Sequence, residues 1–192
     1  MSHFFAYLSR MKYIERWGLM RNTRNENIQE HSLQVAMISH SLAIIKNKYF
    51  NGEVDPEKAA VFGMFHEVSE VITGDLPTPI KYFNPDIKKA YKDIEEVASA
   101  KLLKMLPNDL KEEYRTLLFK DDRYEKVWKI VKAADKICAY LKCIEELKAG
   151  NQEFAKAKKT LESEIEKLKM PEVEYFMKTF VPSFSLTLDE LN

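Results

Sequence analysis

Apolar residues in this 192-residue chain recur at helical intervals, and most of these runs end at a recognisable stop. The clearest spans 124–149. Val127, Ile130, Val131, Ala134, Cys138 and Leu141 share one face there, and Gly150 closes the helix. Asn27 with Glu30 three residues later reads as a capping-box variant. It opens a helix to about Lys48 whose apolar positions include Leu33, Met37, Ile44 and Ile45. Asp55 and Pro56 form an N-cap and a first-turn proline. The helix they open is predicted to carry AAVFGMFHEVSEVIT without a break up to Gly74, a C′ glycine. A short amphipathic stretch at 4–14 precedes these, and a helix over about 85–105 follows. Another short helix precedes Lys120, and a last one lies between Pro171 and Pro182. The segment 151–169, rich in lysine and glutamate at helical spacing, reads as a solvated outer helix. Strand patterns, repeats and an interdomain linker are not visible. The expectation is an all-α fold in one domain spanning 1–192.

Composition narrows the function classes. Hydrophobic residues make up 45% and charged residues 31%, an ordinary globular balance that supports a real core. Lys plus Arg and Asp plus Glu are 30 each, so no net basic field draws in a nucleic acid polymer or an anionic membrane. No apolar run approaches the roughly 20 residues of a membrane span. The N-terminus shows no basic segment followed by an apolar one, as a signal peptide would. Cys138 and Cys143 are five positions apart on one helix, about 7.5 Å along its axis, too far for a disulfide. They read as free core thiols, and the expected compartment is the cytoplasm.

The chemistry gathers in FHEVSEVITGDLPTP, residues 65–79. Taken as helix, His66 and Glu70 stack one turn apart, and Glu67 can turn toward the same cavity. Their neighbours Phe62, Met64, Phe65, Val68, Val71 and Ile72 are apolar, where a carboxylate is costly unless paired or ligated. Salt bridges to distant lysines are one solution and a metal is the other. His31, early in its helix, and Asp135, beside the apolar face of the long helix, add an imidazole and a carboxylate. Two histidines and two acids suit a divalent cation such as Mn, Co, Zn or Fe. His40 projects from the opposite helix face to His31 and reads as structural, and His3 as solvated.

The order His, then His-acid, then Asp on successive helices resembles the HD-domain metal phosphohydrolases. SHFFAYLSRMKYIERWGLMRNTRNENIQEHSLQVA, TGDLPTPIKYFN, AYLKCIEELKAGN and YFMKTFVPSFSLTLDE are similar to the bacterial 5′-deoxynucleotidases of the YfbR type, over essentially the whole chain. The resemblance implies a compact helical homodimer that hydrolyses deoxyribonucleoside 5′-monophosphates with one divalent cation, Co, Mn, Zn or similar. It implies His31, His66, Glu67 and Asp135 as metal ligands and Glu70 as the catalytic carboxylate. It implies Arg16 as the residue that orients the phosphate and Trp17 as the sugar contact. Asp75, Leu76, Pro77 and Thr78 would line the nucleotide, with His31, Glu67 and Asp135 also facing it. One departure stands out. The His-Asp doublet of that superfamily is His66-Glu67 here, one methylene longer. Rival expectations are another HD phosphohydrolase acting on a ribonucleotide or alarmone, a non-catalytic nucleotide-binding protein, and a purely structural helical protein.

Overall fold

The computed structural model describes residues 1–81 and 83–191, without the side chains of Thr78 and Pro79. Among the described residues the regular structure is helical, and pairing of extended backbone is limited to one isolated bridge, Glu15 to Asn27. The helices are α1 (Phe4–Leu8), α2 (Ile28–Tyr49), α3 (Pro56–Phe65), α4 (Glu70–Thr73) and α5 (Thr78–Lys81). They continue with α6 (Pro85–Lys104), α7 (Lys111–Leu118), α8 (Glu125–Lys148), α9 (Ala155–Glu166) and α10 (Pro171–Thr179).

The caps follow the local sequence. Asn27 Oδ1 accepts from the amides of Gln29 and Glu30 at 3.0 Å each, which starts α2. Asp55 Oδ1 accepts from Lys58 N at 2.9 Å ahead of Pro56, and Asn84 Oδ1 from Ile87 N at 2.8 Å ahead of Pro85. Gly74 and Gly150 take φ of 72° and 85°, the left-handed conformation that lets the chain leave α4 and α8.

The chain forms two compact units, one of Met1–Arg21, Asn25–Leu33 and Met64–Tyr124, the other of Asn22–Arg24, Gln34–Gly63 and Glu125–Asn192. In the first, Phe4, Met11, Ile28, Val68, Leu102, Leu103, Leu106 and Leu118 form the core. The Phe4 ring meets Tyr114 edge-on at 5.2 Å. In the second, α8 is the buried axis, with Val127, Ile130, Val131, Ala134, Ile137, Cys138 and Leu141 inside and α9 packed along it. A Cβ on Gly63 would lie 2.7 Å from Ala36 Cα, so glycine is what lets α3 approach α2. The second unit also holds a buried polar knot. Glu146 accepts from Lys142 Nζ, from Asn151 Nδ2 at 2.8 Å, and from Thr23 N and Oγ1 at 2.9 and 2.8 Å.

Three expectations change. On α2, Ile45 is buried, but Leu33, Met37 and Ile44 are 53%, 57% and 42% exposed; Val35, Ala36, Ile38, Leu42 and Ala43 fill the inner face instead. Hydrophobicity alone did not separate these two faces. The segment 151–169 begins with a 3₁₀ turn at Gln152–Phe154, and Phe154 and Ile165 are buried beneath its charged face. The third change concerns the site itself.

Candidate functional site

The helix predicted to run unbroken to Gly74 stops at Phe65, and His66 to Ser69 form a turn before α4. Hydrogen bonds span three residues there, from Val68 N to Phe65 O at 3.2 Å and from Glu70 N to Glu67 O at 2.9 Å. Winding this tight eclipses side chains three apart. The α-helical spacing that would stack His66 on Glu70 one turn apart is interrupted by this turn. Val68 anchors the turn in the core, while side-chain contacts of His66 and Glu67 offset the α-helical bonds given up.

His31 sits in the first turn of α2, 1% exposed, its amide bonded to Asn27 O at 3.1 Å. Its ring centroid is 5.3 Å from that of His66. Glu67 Oε1 lies 3.7 Å from the Nε2 atoms of both His31 and His66. Each of the three residues offers a donor atom within 4.8 Å of the others. Ligand atoms at about 2.0–2.2 Å from a tetrahedral metal lie roughly 3.4 Å apart, so the triangle fits a divalent cation with small adjustments. Glu67 reaches it despite its extra methylene. Asp135, the fourth candidate, is half-buried on α8 in the second unit.

Arg16 and Trp17 precede a loop that closes on itself. Arg16 N donates to Glu26 O at 2.8 Å, and Ile28 N to Ile14 O at 3.0 Å. The side chains converge as well. Arg16 Nη1 donates to Glu67 Oε1 at 2.5 Å, and Arg16 Nε to Glu26 Oε2 at 3.0 Å. Trp17 Nε1 donates to the same Glu26 oxygen at 3.3 Å. The Trp17 backbone has φ of 58°, an uncommon conformation for a bulky residue and one that concentrates at functional sites. Sequence reading missed Glu26, whose partners stand nine and ten positions back across an irregular loop.

Glu70 is 5% exposed, and its Oε2 is buried without a hydrogen-bond partner. Burial, then the charges of Glu67 and Asp75, push its carboxyl up to about 9, against the opposing pull of Arg16 and Lys81. Burial also raises Asp75, again opposed first by Arg16. Asp75, Leu76 and Pro77 are half-buried and follow Gly74 as an irregular rim. The side chain of Thr78 lies outside the described residues. Tyr91 Oη donates to Gly74 O at 3.1 Å and braces the rim. Lys81, also missed, donates to Glu95 Oε1 at 2.9 Å and lies 4.5 Å from the Tyr91 ring centroid. Burial works against its charge, but the hydrogen bond and charge of Glu95 outweigh this and raise its pKa. Among the remaining sequence candidates, His40 is half-buried, His3 is exposed, and Cys138 and Cys143 are buried and not joined in a disulfide.

The sequence pattern of the family described as "5′-deoxynucleotidase YfbR-like" matches residues 3–184. A 5′-deoxynucleotidase of Vibrio parahaemolyticus is 56% identical, over 100% of this chain and 98% of its own. One from Yersinia pseudotuberculosis is 58% identical with the same coverage. Among solved structures, an HD-domain phosphohydrolase from Listeria innocua superposes with a TM-score of 0.82 at 24% identity, over 95% of this chain and 88% of that one. The cyanophage S-2L HD phosphohydrolase, solved with dA and one catalytic Zn²⁺, has a TM-score of 0.65 at 16% identity, covering 93% and 96%. The structural likenesses establish the all-α HD-domain fold. The sequence matches establish more: this chain belongs to the YfbR-like family of 5′-deoxynucleotidases.

Proposed function

We propose that this chain is a metal-dependent 5′-deoxynucleotidase, hydrolysing deoxyribonucleoside 5′-monophosphates to deoxynucleoside and phosphate. The observation that carries this is full-length identity of 56% and 58% to relatives that bear that name. The geometry agrees with it, because Glu70, whose Oε2 is buried without a hydrogen-bond partner, begins α4 directly after the turn that carries His66 and Glu67 of the donor triangle. In this reading one domain spans 1–192, and His31, His66, Glu67 and Asp135 hold one divalent cation. When bound there, the cation would supply Lewis acidity and lower the pKa of a water molecule. Glu70 holds or moves a proton at its Oε2, for which its raised pKa and lack of a partner suit it. Arg16, fixed through Nε, offers a planar cation to the phosphate oxygens. Trp17 walls the sugar, and Asp75, Leu76, Pro77 and Thr78 line the nucleotide.

The protein acts in the cytoplasm as a homodimer in this proposal. Support for self-association comes from the exposed apolar residues Leu33, Met37 and Ile44 of α2. No helix among the described residues is long and apolar enough to cross a membrane.

Phosphate release from paired deoxyribo- and ribonucleoside 5′-monophosphates, with Mg²⁺, Mn²⁺, Co²⁺ or Zn²⁺ added to chelator-treated protein, tests the activity. Metal-dependent release favouring the deoxyribonucleotides is expected. A preference for ribonucleotides, or binding without turnover under every metal, would overturn it.

A further inference from the structure

We infer that Glu26 is a positioning residue that sets the phosphate-orienting Arg16 and the sugar-reading Trp17 as one rigid pair. The inference rests on the roles proposed for those two residues. Its core is a single atom. Glu26 Oε2 accepts from Arg16 Nε at 3.0 Å and from Trp17 Nε1 at 3.3 Å. Arg16, Glu26 and Glu67 are each nearly enclosed, with side-chain exposures of 10%, 14% and 14%.

An arginine side chain has several rotatable bonds, and an indole on a loop can swing about two. One shared acceptor removes freedom from both, and its charge strengthens each hydrogen bond. Engaging Arg16 through Nε fixes the plane of the guanidinium as well as its location. Nη1 then points to Glu67, on the metal-ligand triangle. Trp17, Glu26, Arg16 and Glu67 thus form a continuous chain from the sugar wall to the metal ligands.

The backbone reinforces this. Arg16 N donates to Glu26 O at 2.8 Å, so the residue that holds the two side chains also closes the loop that bears them. Met20 N donates to Trp17 O at 2.8 Å and secures the turn in which Trp17 takes its φ of 58°. A strained tryptophan backbone persists where its surroundings over-determine it, and the Glu26 bond is one such constraint. If one carboxylate orients both contacts, the phosphate and the sugar are read at a fixed separation. A change at Glu26 then alters phosphate binding and sugar discrimination together.

Steady-state kinetics on 2′-deoxyadenosine and adenosine 5′-monophosphates test this in the parent, Glu26→Gln, Glu26→Ala, Arg16→Ala and the Glu26→Ala/Arg16→Ala double variant. Glu26→Ala should raise KM for the deoxyribonucleotide by about 10- to 150-fold, the scale of hydrogen bonds to a charged group. It should lower kcat less, narrow the deoxyribose preference and leave the metal content unchanged. Glu26→Gln keeps an acceptor and should fall between Glu26→Ala and the parent. In the Arg16→Ala background most of the KM effect should vanish, because the two residues act through one contact. A full multiplicative effect in the double variant, or a drop in Tm with KM and the sugar ratio unmoved, overturns the inference.

A spectroscopic arm reads the positioning directly. In a Trp128→Phe background Trp17 is the sole indole. Glu26→Ala should shift its emission and lower its anisotropy, and unchanged values would refute the inference. If Arg16→Ala and Trp17→Ala leave KM and the sugar ratio of an active enzyme unchanged, the substrate roles fall. The fluorescence then decides the positioning of Trp17 by itself.

Discussion

Glu70 and Glu146 are both buried carboxylates, 5% and 1% exposed, yet their surroundings drive them in opposite directions. Glu146 is met by a lysine, an asparagine, a threonine hydroxyl and backbone amides. Burial opposes its charge, but those hydrogen bonds hold it down to about 2. Glu70 has an oxygen without a partner and two acidic neighbours, and it is pushed up to about 9. A buried acid whose bonds are satisfied ties a fold together. A buried acid left short of bonds stores free energy, which a site can use when a substrate supplies what is missing. Glu146 joins the Thr23 turn to α8, while Glu70 stands beside the candidate metal ligands.

The sharpest way to break this contrast is to neutralise Glu70. Glu70→Gln should lose about 10²- to 10⁴-fold in kcat while keeping its metal and its thermal midpoint. An unchanged kcat in a folded, metal-loaded variant would remove Glu70 from the mechanism. At Glu146 the loss should fall on the fold instead. Glu146→Ala strands Lys142, which is 5% exposed, and should cost about 3–5 kcal/mol in denaturant unfolding. A cost under about 1 kcal/mol would mean the knot contributes little.

The Glu146 titration sharpens the comparison further. Its pKa is lowered in the folded state, so its contribution is fully present above the ordinary value of 4.5 and is lost as pH falls through about 2. The size should be about 3 kcal/mol. Unfolding free energies of the parent and Glu146→Gln, measured between pH 5 and pH 2, should converge as pH falls. Parallel curves would contradict the assignment.

Smaller effects are expected nearer the substrate. If Trp17 walls the sugar as proposed, Trp17→Ala should narrow the ratio of kcat/KM between a deoxyribonucleotide and its ribonucleotide by about 5- to 150-fold, since a 2′-hydroxyl against the indole would lack a hydrogen-bond partner. An unchanged ratio would move sugar reading to the Asp75–Thr78 rim. The smallest change should come from Glu67→Asp, which keeps a carboxylate beside His31 and His66 and should retain metal. Loss of metal there would show a site built around the longer side chain.

Local chemistry made much of the fold legible in the sequence. Asn27, Asp55 with Pro56, Gly74 and Gly150 mark helix ends because caps depend on a few neighbouring residues. The break after Phe65 was not legible. No proline or glycine stands between Gly63 and Gly74, and the tightened turn is held by side-chain partners from other segments. Leu33, Met37 and Ile44 on the outside of α2 were hidden for a related reason, because a helix apolar on two sides does not declare which side is the core. At the site, His31, His66 and Glu67 stood out as polar residues in apolar company, and the structure brings them together. Glu26 and Lys81 did not. They are charged residues in charged surroundings, and only the folded chain shows which partners they hold.

The central claim is that one divalent cation, held by His31, His66, Glu67 and Asp135, is the seat of nucleotide hydrolysis. Elemental analysis and phosphate release on the same samples of parent and His66→Ala, purified without chelator, test it most directly. The expected result is about one divalent ion per chain and deoxyribonucleotide hydrolysis in the parent, with both lost in His66→Ala. Equal metal in the two proteins, or undiminished hydrolysis by metal-free His66→Ala, would contradict it.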